Sequence, residues 1–155
     1  MKKLTFSIVV LSIVSLTSLN SFAQEKLGIG GELISPVGLS YKISINEKSA
    51  ITGAFGFFLS DGFNNAILET NYTLYRDNEN INIGSGQLHP YFGGGLAFNF
   101  ATSSDVSVAL RVPFGIEYKI DSTPIEIYMD VGPYLVLTDP LSFSLDSSLG
   151  FRYRF

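Results

Sequence analysis

The stretch from Val106 to Ile120 alternates, without a break, between apolar side chains and polar or small ones. All eight even-numbered positions of this stretch are apolar, whereas the odd-numbered positions include Arg111, Glu117 and Lys119. Because successive residues of a β-strand point to opposite faces, the stretch predicts a strand with one apolar face and one charged face. A sheet built from such strands must keep its apolar groups and its charges on opposite sides.

The same alternation recurs along the rest of the chain and brings the total to eight predicted strands. The clear segments are 37–45, 88–100, 106–120, 124–137 and 142–155, and the weaker ones are 26–34, 50–59 and 66–76. Single-chain bacterial outer-membrane barrels have an even number of strands, and a tilted strand needs roughly 9–11 residues to span the membrane. All the connections are compatible with hairpins. The fold class expected is therefore all-β, an eight-stranded antiparallel up-and-down transmembrane β-barrel closed between its first and last strands.

The last seven residues carry a second signal. Apolar side chains at Leu149, Phe151, Tyr153 and Phe155 alternate with Gly150 and two arginines, and the sequence stops on an aromatic residue. This pattern suits a closing strand with lipid outside and a polar lumen inside. The aromatic residues at spacing two also resemble the recognition strand read by the outer-membrane barrel assembly machinery. That resemblance implies the machinery as a partner, with Phe151, Tyr153 and Phe155 as the assembly signal.

Residues 1–23 have the pattern of a cleaved signal peptide. Lys2 and Lys3 form a basic start, an apolar or small run follows, and Ser21-Phe22-Ala23 offers small residues at both positions that specify cleavage. Cleavage is expected before Gln24, which leaves 24–155 as the outer-membrane β-barrel domain. The alternative, a retained membrane helix, fits less well because the apolar run is short.

Composition excludes several classes of function. The sequence has no cysteine, so neither disulfides nor lipid attachment at a new N-terminal cysteine is expected. The formal net charge is −4, and loss of Lys2 and Lys3 with the leader would take it to −6. No basic patch favours nucleic acid. No second His and no Cys exists that could complete a metal site with His89. We expect no metal, no cofactor and no catalytic residues.

Several motifs together resemble a known family. They are Gly30-Gly31-Glu32, the segment 36–42, Arg111 to Tyr118, the segment 124–133, and Gly150 to Phe155. These residues resemble a family of short bacterial outer-membrane β-barrel proteins of undefined function, similar in architecture to OmpX and to the OmpA membrane domain. The resemblance spans nearly the whole chain after residue 24 and is loose between 60 and 88. It implies a small closed barrel and brings no catalytic residues.

The polar faces predict an ion network in the lumen. If Ile120 pairs with Ile125 across the intervening turn, Lys119 lies opposite Glu126, and face parity then puts Glu126 beside Arg154 or Arg152. The expected network comprises Lys119, Glu126, Arg152, Arg154, Asp130, Arg111 and Glu117; Asp146 extends it, with Glu32, Glu69 and Lys42 as optional members. One reading is an ion path or proton relay. The other is structural pairing of interior charges, which the narrow, side-chain-filled lumen of an eight-stranded barrel favours.

Three residues stand out individually. Pro113 and Pro133 fall within predicted strands, although proline cannot donate to a ladder. They predict a bulge or kink in the sheet, with a lateral gate for lipid as the sharper alternative. His89 is expected to face the lumen near the periplasmic end as a satisfied interior residue rather than as a catalytic base.

Three functions remain open at this point. The first is a monomeric structural or surface-interaction barrel of the bacterial outer membrane with a non-conducting lumen, in contact with membrane lipid and open to an unidentified extracellular ligand. The second is a lipid-modifying membrane enzyme. The third is a secreted, lipocalin-like barrel that binds an apolar ligand. This third hypothesis predicts that the apolar faces point inward. With the sequence ends in the periplasm, the 60–65 connection is expected to face the medium and the 77–87 connection the periplasm.

Overall fold

The alternating segments form β-strands in the computed structural model, which describes residues 26–58, 65–76, 81–101, 106–138 and 140–155. The strands are β1 Leu27–Ile34, β2 Val37–Asn46, β3 Ser49–Phe57, β4 Asn65–Tyr75, β5 Ile81–Ile83, β6 Gly86–Ala101, β7 Val106–Arg111, β8 Phe114–Ile120, β9 Ile125–Val136 and β10 Ser142–Arg154. The predicted signal peptide and most of the 60–65 connection lie outside the described residues.

All strand pairs are antiparallel and belong to one ten-stranded sheet. Sequential neighbours pair from β1 to β4, β4 pairs with β6, and both β7 and β8 lie between β6 and β9. The last strand, β10, pairs with β9 on one side and with β1 on the other. The order of pairing therefore returns to its starting strand.

Two local features turn the eight predicted strands into ten. The segment predicted as one strand over 106–120 is divided at Val112 and Pro113, and the three-residue β5 pairs with the start of β6. The other predicted segments each correspond to one strand, with ends that differ by one or two residues.

The division at Pro113 is not a bulge, so the prediction of a bulge there was wrong. Arg111 pairs with Gly95 and Tyr134, and Phe114 pairs with Phe92 and Val131, so the register continues unchanged on both sides. The hydrogen bonding between strands also continues at the proline: its carbonyl oxygen accepts a hydrogen bond from Gly93 N at 2.9 Å. The missing donor interrupts the strand without inserting a residue. Register shifts occur elsewhere, between Glu32 and Ile34 and between Ser44 and Asn46.

The two faces of the sheet are opposite in character to those of a soluble protein. Glu117 and Glu126 are fully buried, whereas Phe114 and Phe151 are 53% and 47% exposed. The buried set is mostly polar or charged, and the exposed set includes large apolar side chains of nearly every strand. The predicted orientation of the faces is confirmed, and it is the reverse of what the lipocalin-like alternative requires.

One small apolar cluster lies among these buried polar side chains. Ile67, Ala97, Ala109 and Tyr134 pack together, with Phe58 and Val136 partly buried against them. Their positions on β4, β6, β7 and β9 place the cluster near the strand ends that border the undescribed segments 59–64 and 102–105. We call this the Tyr134 end of the sheet, and the opposite end, which holds the β8–β9 turn, the Lys119 end.

Candidate functional site

Glycines on the buried face make room for long tyrosine side chains. A Cβ on Gly150 would lie 2.6 Å from Cζ of Tyr128, and a Cβ on Gly115 would lie 2.6 Å from Cζ of Tyr91. Both distances are too short for a real contact. Each tyrosine therefore crosses the backbone of a neighbouring strand and carries its hydroxyl group into the interior.

The first group of charges, the Lys42 cluster, consists of Lys42, Glu117, Glu126 and Arg152. Lys42 Nζ lies 2.6 Å from Glu117 Oε1 and 3.2 Å from Glu126 Oε2. Arg152 Nη1 lies 3.2 Å from Glu126 Oε1 and 3.8 Å from Glu117 Oε2. Two cations and two carboxylates are thus paired in a buried setting, and the hydroxyl of Tyr75 donates to Glu117 at 3.0 Å.

The second group, the Arg111 cluster, lies toward the Tyr134 end and consists of Arg111, Glu69, Asp130 and Asp146. Arg111 Nη2 donates to Asp130 Oδ1 at 2.6 Å, and Nε donates to Asp146 Oδ2 at 3.0 Å. Arg111 Nε also lies 3.7 Å from Glu69 Oε2. One guanidinium group therefore serves three carboxylates, and Asp130 gains a further donor from the hydroxyl of Tyr91 at 2.6 Å.

Tyr128 contacts both the Lys42 cluster and Glu32, a buried carboxylate that lines one cavity together with Arg111 and Glu69. Its hydroxyl group lies 2.7 Å from Glu32 Oε2 and 2.7 Å from Ser40 Oγ. The guanidinium of Arg152, from the Lys42 cluster, stacks on its ring with Cζ 3.7 Å from the ring centre. Burial strengthens such a cation–π contact, because water does not compete for the cation.

Five of the seven predicted network residues belong to the two clusters in the structure. Glu117, Glu126 and Arg152 come together in the Lys42 cluster, and Arg111 and Asp130 in the Arg111 cluster. Lys119 pairs with Glu126 in the register, as expected, but its Nζ lies 3.8 Å from Glu117 Oε1 and its side chain is 30% exposed.

Arg154 occupies a third position. Arg152, not Arg154, lies opposite Glu126, which resolves the alternative that the sequence left open. The guanidinium of Arg154 donates to the carbonyl oxygens of Ile120 and Thr123, at 3.4 and 3.1 Å. It therefore lies against the β8–β9 turn.

Sequence reasoning gave too little weight to the interior tyrosines. Tyr75, Tyr91, Tyr128 and Tyr134 all donate hydrogen bonds to polar side chains of other strands. The available signal was parity: Tyr91 and Tyr128 alternate with apolar residues on the polar face of their strands. Lys42, which was only an optional member of the predicted network, is central to it.

A small cavity lies beside the Arg111 cluster. Glu32, Glu69, Asn71, Arg111 and Tyr128 are among the residues that line it. The space open to the centre of a water-sized sphere is about 10 Å³, roughly the room that one water molecule needs. Glu32 Oε1, Glu69 Oε1 and Asn71 Oδ1 are buried and have no hydrogen-bond partner within the described part of the chain.

His89 lies on the buried face opposite Glu117, as expected for an interior residue. The expectation that its hydrogen bonds are satisfied is not met at Nε2, which is buried without a partner in the described ranges. No hydroxyl group of those ranges is therefore hydrogen-bonded to Nε2, the arrangement that activation of a nucleophile at that nitrogen would require.

No group of three or more His, Cys, Asp or Glu side chains among residues 26–58, 65–76, 81–101, 106–138 and 140–155 has the arrangement of a metal site. In those ranges, no helix is long and apolar enough to cross a membrane.

Comparison with known proteins adds no relative. No protein-family model, no curated protein sequence and no solved structure matches this chain significantly.

Proposed function

We propose that the chain is a small integral β-barrel protein of a bacterial outer membrane, with a structural or surface-interaction role and a non-conducting lumen filled by its own side chains. The observation that carries the proposal is the ion pair between Lys42 and Glu117. Counting β7 and β8 as one position, β2 and β8 lie four places apart in both directions around the pairing order. Side chains of strands this far apart can come within 2.6 Å of each other only if the sheet curves back on itself.

The outward face supports a lipid environment. Among the exposed residues are Leu39, Phe55, Phe114, Met129 and Phe151, each between 47% and 63% accessible. Soluble monomers rarely expose continuous apolar surface of this kind. In a transmembrane barrel, an outward apolar band opposes a polar interior along every strand.

The interior supports a structural role. The Lys42 and Arg111 clusters pair their charges across the space between the strands, and Ile67, Ala97, Ala109 and Tyr134 fill the interior at the Tyr134 end. Eight-stranded barrels are just wide enough for side chains to fill. This arrangement favours a packed core of ion pairs over an aqueous channel.

The proposal extends to location and assembly. A cleaved signal peptide over 1–23 would deliver the chain to the periplasm, and the barrel assembly machinery would read Phe151, Tyr153 and Phe155. The three aromatic side chains are about half exposed on the outward face, and the rings of Tyr153 and Phe155 are 4.9 Å apart. They are thus accessible to a partner that binds this strand.

Fractionation tests the proposal directly. Protein expressed with its leader in a Gram-negative host should be recovered in the detergent-soluble outer-membrane fraction. It should also migrate differently on gels before and after heating, because folded barrels resist the detergent at room temperature. Recovery in the soluble periplasm or the medium would reject both the location and the lipid-facing surface.

A further inference from the structure

The charges around the Arg111 cluster do not balance. Glu69, Asp130 and Asp146 face the single guanidinium of Arg111, and Glu32 lines the same cavity. Arg152 also borders this cavity, but it pairs with the two glutamates of the Lys42 cluster. The Lys42 cluster is neutral by itself, and the additional cation near it, Lys119, lies at the Lys119 end, 3.8 Å from Glu117 and 30% exposed. Buried charges without partners are strongly unfavourable.

Some of the residues that line the cavity also have oxygen atoms that accept no hydrogen bond from the described residues. Glu69 and Glu32 are 2% and 4% exposed, and each has one carboxylate oxygen without a hydrogen-bond partner among the described residues. Asn71 lies two residues from Glu69 on the same face of β4, and its amide oxygen is also buried without a hydrogen-bond partner among the described residues. The side chains that carry these three oxygens all line a space about the size of one water molecule.

We propose that this cavity binds one small monovalent cation, of the size of sodium, through Glu32, Glu69 and Asn71. Oxygen donors of this kind suit hard cations. A divalent ion fits less well, since calcium takes six to eight oxygen ligands, more than these three side chains offer. The bound cation would balance part of the excess negative charge and occupy the unused oxygens.

Thermal unfolding of the detergent-solubilised, full-length folded protein tests this site. The midpoint is measured in the chlorides of sodium, potassium, calcium and choline at equal ionic strength, because choline is too large for the cavity. Sodium is expected to raise the midpoint above the choline value by about 3 °C and to do so in a saturable way, as a ligand of the folded state does. Equal midpoints in all four salts would overturn the proposal and indicate neutralisation by protons. Stabilisation by calcium alone would overturn it in favour of a divalent site.

Variants locate the effect. Glu69→Gln keeps the shape of the side chain and removes its charge, and this variant should lose the difference between sodium and choline. Glu47→Gln, in the exposed β2–β3 turn, is the matched control and should keep the full difference. Asn71→Ala provides a second test if Glu69→Gln does not fold, and it should reduce the sodium effect. A sodium effect that persists undiminished in these site variants would show that the ion binds elsewhere. None of these outcomes bears on the barrel itself, which fractionation tests separately.

Discussion

Lys42 on β2 and Glu117 on β8 form a 2.6 Å ion pair across the interior, between strands that are as far apart in the pairing order as the sheet allows. Lys42 also reaches Glu126 on β9, which in turn contacts Arg152 on β10. The side chains of Lys42, Glu117, Glu126 and Arg152 therefore tie four strands together independently of the backbone ladder. This explains why charged residues occupy the buried positions of a protein whose apolar residues face outward.

Loss of one member of this cluster should be costly. Glu126→Ala is expected to lower the free energy of unfolding by about 3–5 kcal/mol, because it leaves Lys42 and Arg152 buried with only Glu117 to balance them. Urea unfolding in detergent micelles or lipid vesicles measures the change, and membrane insertion should be retained. Glu47→Ala in the exposed turn serves as the control. Equal stability of Glu126→Ala and the unmodified protein would contradict the buried pairing of Glu126 with Lys42 and Arg152.

Gly150 should not tolerate a side chain. A Cβ at this position would lie 2.6 Å from Cζ of Tyr128 and 2.5 Å from the carbonyl oxygen of Gly31. Gly150→Ala should therefore cost about 1–3 kcal/mol of stability, as overpacking does. Gly94→Ala is the matched control, since a Cβ there meets no atom within 4 Å. Unfolding midpoints of the two variants, compared side by side, test the prediction, and similar values would count against the path of Tyr128.

A charged residue on the outward apolar face should destabilise the protein. Met129 is 53% exposed near the middle of β9, and Met129→Arg is expected to destabilise the protein by about 2–4 kcal/mol if this surface meets the hydrocarbon core. The effect should appear in lipid vesicles as a lower urea midpoint. Glu47→Arg, in the turn, should change it little. On a water-exposed surface the same arginine would be nearly neutral, so an unchanged midpoint for Met129→Arg would argue against lipid contact.

His89 should be dispensable for lipid chemistry. Its Nε2 has no partner in the described parts of the chain, and it lies on the buried face rather than on the exposed apolar face. His89→Ala is therefore expected to leave the lipid A profile of the host unchanged, as judged by mass spectrometry of extracts from cells that express each form. Disappearance of a lipid species that depends on the unmodified protein would instead support the enzyme hypothesis.

The orientation in the membrane can be read from intact cells. Epitope tags placed in 60–65 and in 77–87 should differ, the first being removed by added protease and the second protected. The expectation holds if, as proposed, the first strand enters the membrane from the periplasm and each of the eight predicted strands crosses it once. Immunoblots before and after shaving provide the measurement, and lysed cells control for tag accessibility. Protection of the 60–65 tag together with loss of the other would reverse the orientation.

Strands and faces were accessible from sequence because alternation in a strand is a strictly local property. Phe114, Ile127 and Phe151 were expected outside and Glu126 and Arg152 inside, and the burial of each residue agrees. The short β8–β9 turn was equally informative, since it fixes Lys119 opposite Glu126. Membrane insertion itself stays a prediction.

The remaining features depend on distances around the sheet. Parity allowed either Arg152 or Arg154 beside Glu126, and the β9–β10 connection decides the matter by pairing Ser142 with Val136. The reach of Lys42 to β8 depends on how the whole sheet curves, which no local pattern encodes. Pro113 misled because a strand can lose one donor and still keep its register.

The position of Tyr128 has a consequence for how this interior responds to change. The guanidinium of Arg152 stacks on its ring and its hydroxyl group contacts Glu32, so it touches the Lys42 cluster and a carboxylate that shares a cavity with the Arg111 cluster. The stability losses caused by substitutions in the Lys42 cluster and in the Arg111 cluster should therefore not be additive, because the side chain of Tyr128 lies against both regions. A double-mutant cycle between Glu126 and Glu69 would measure the coupling free energy between the two clusters.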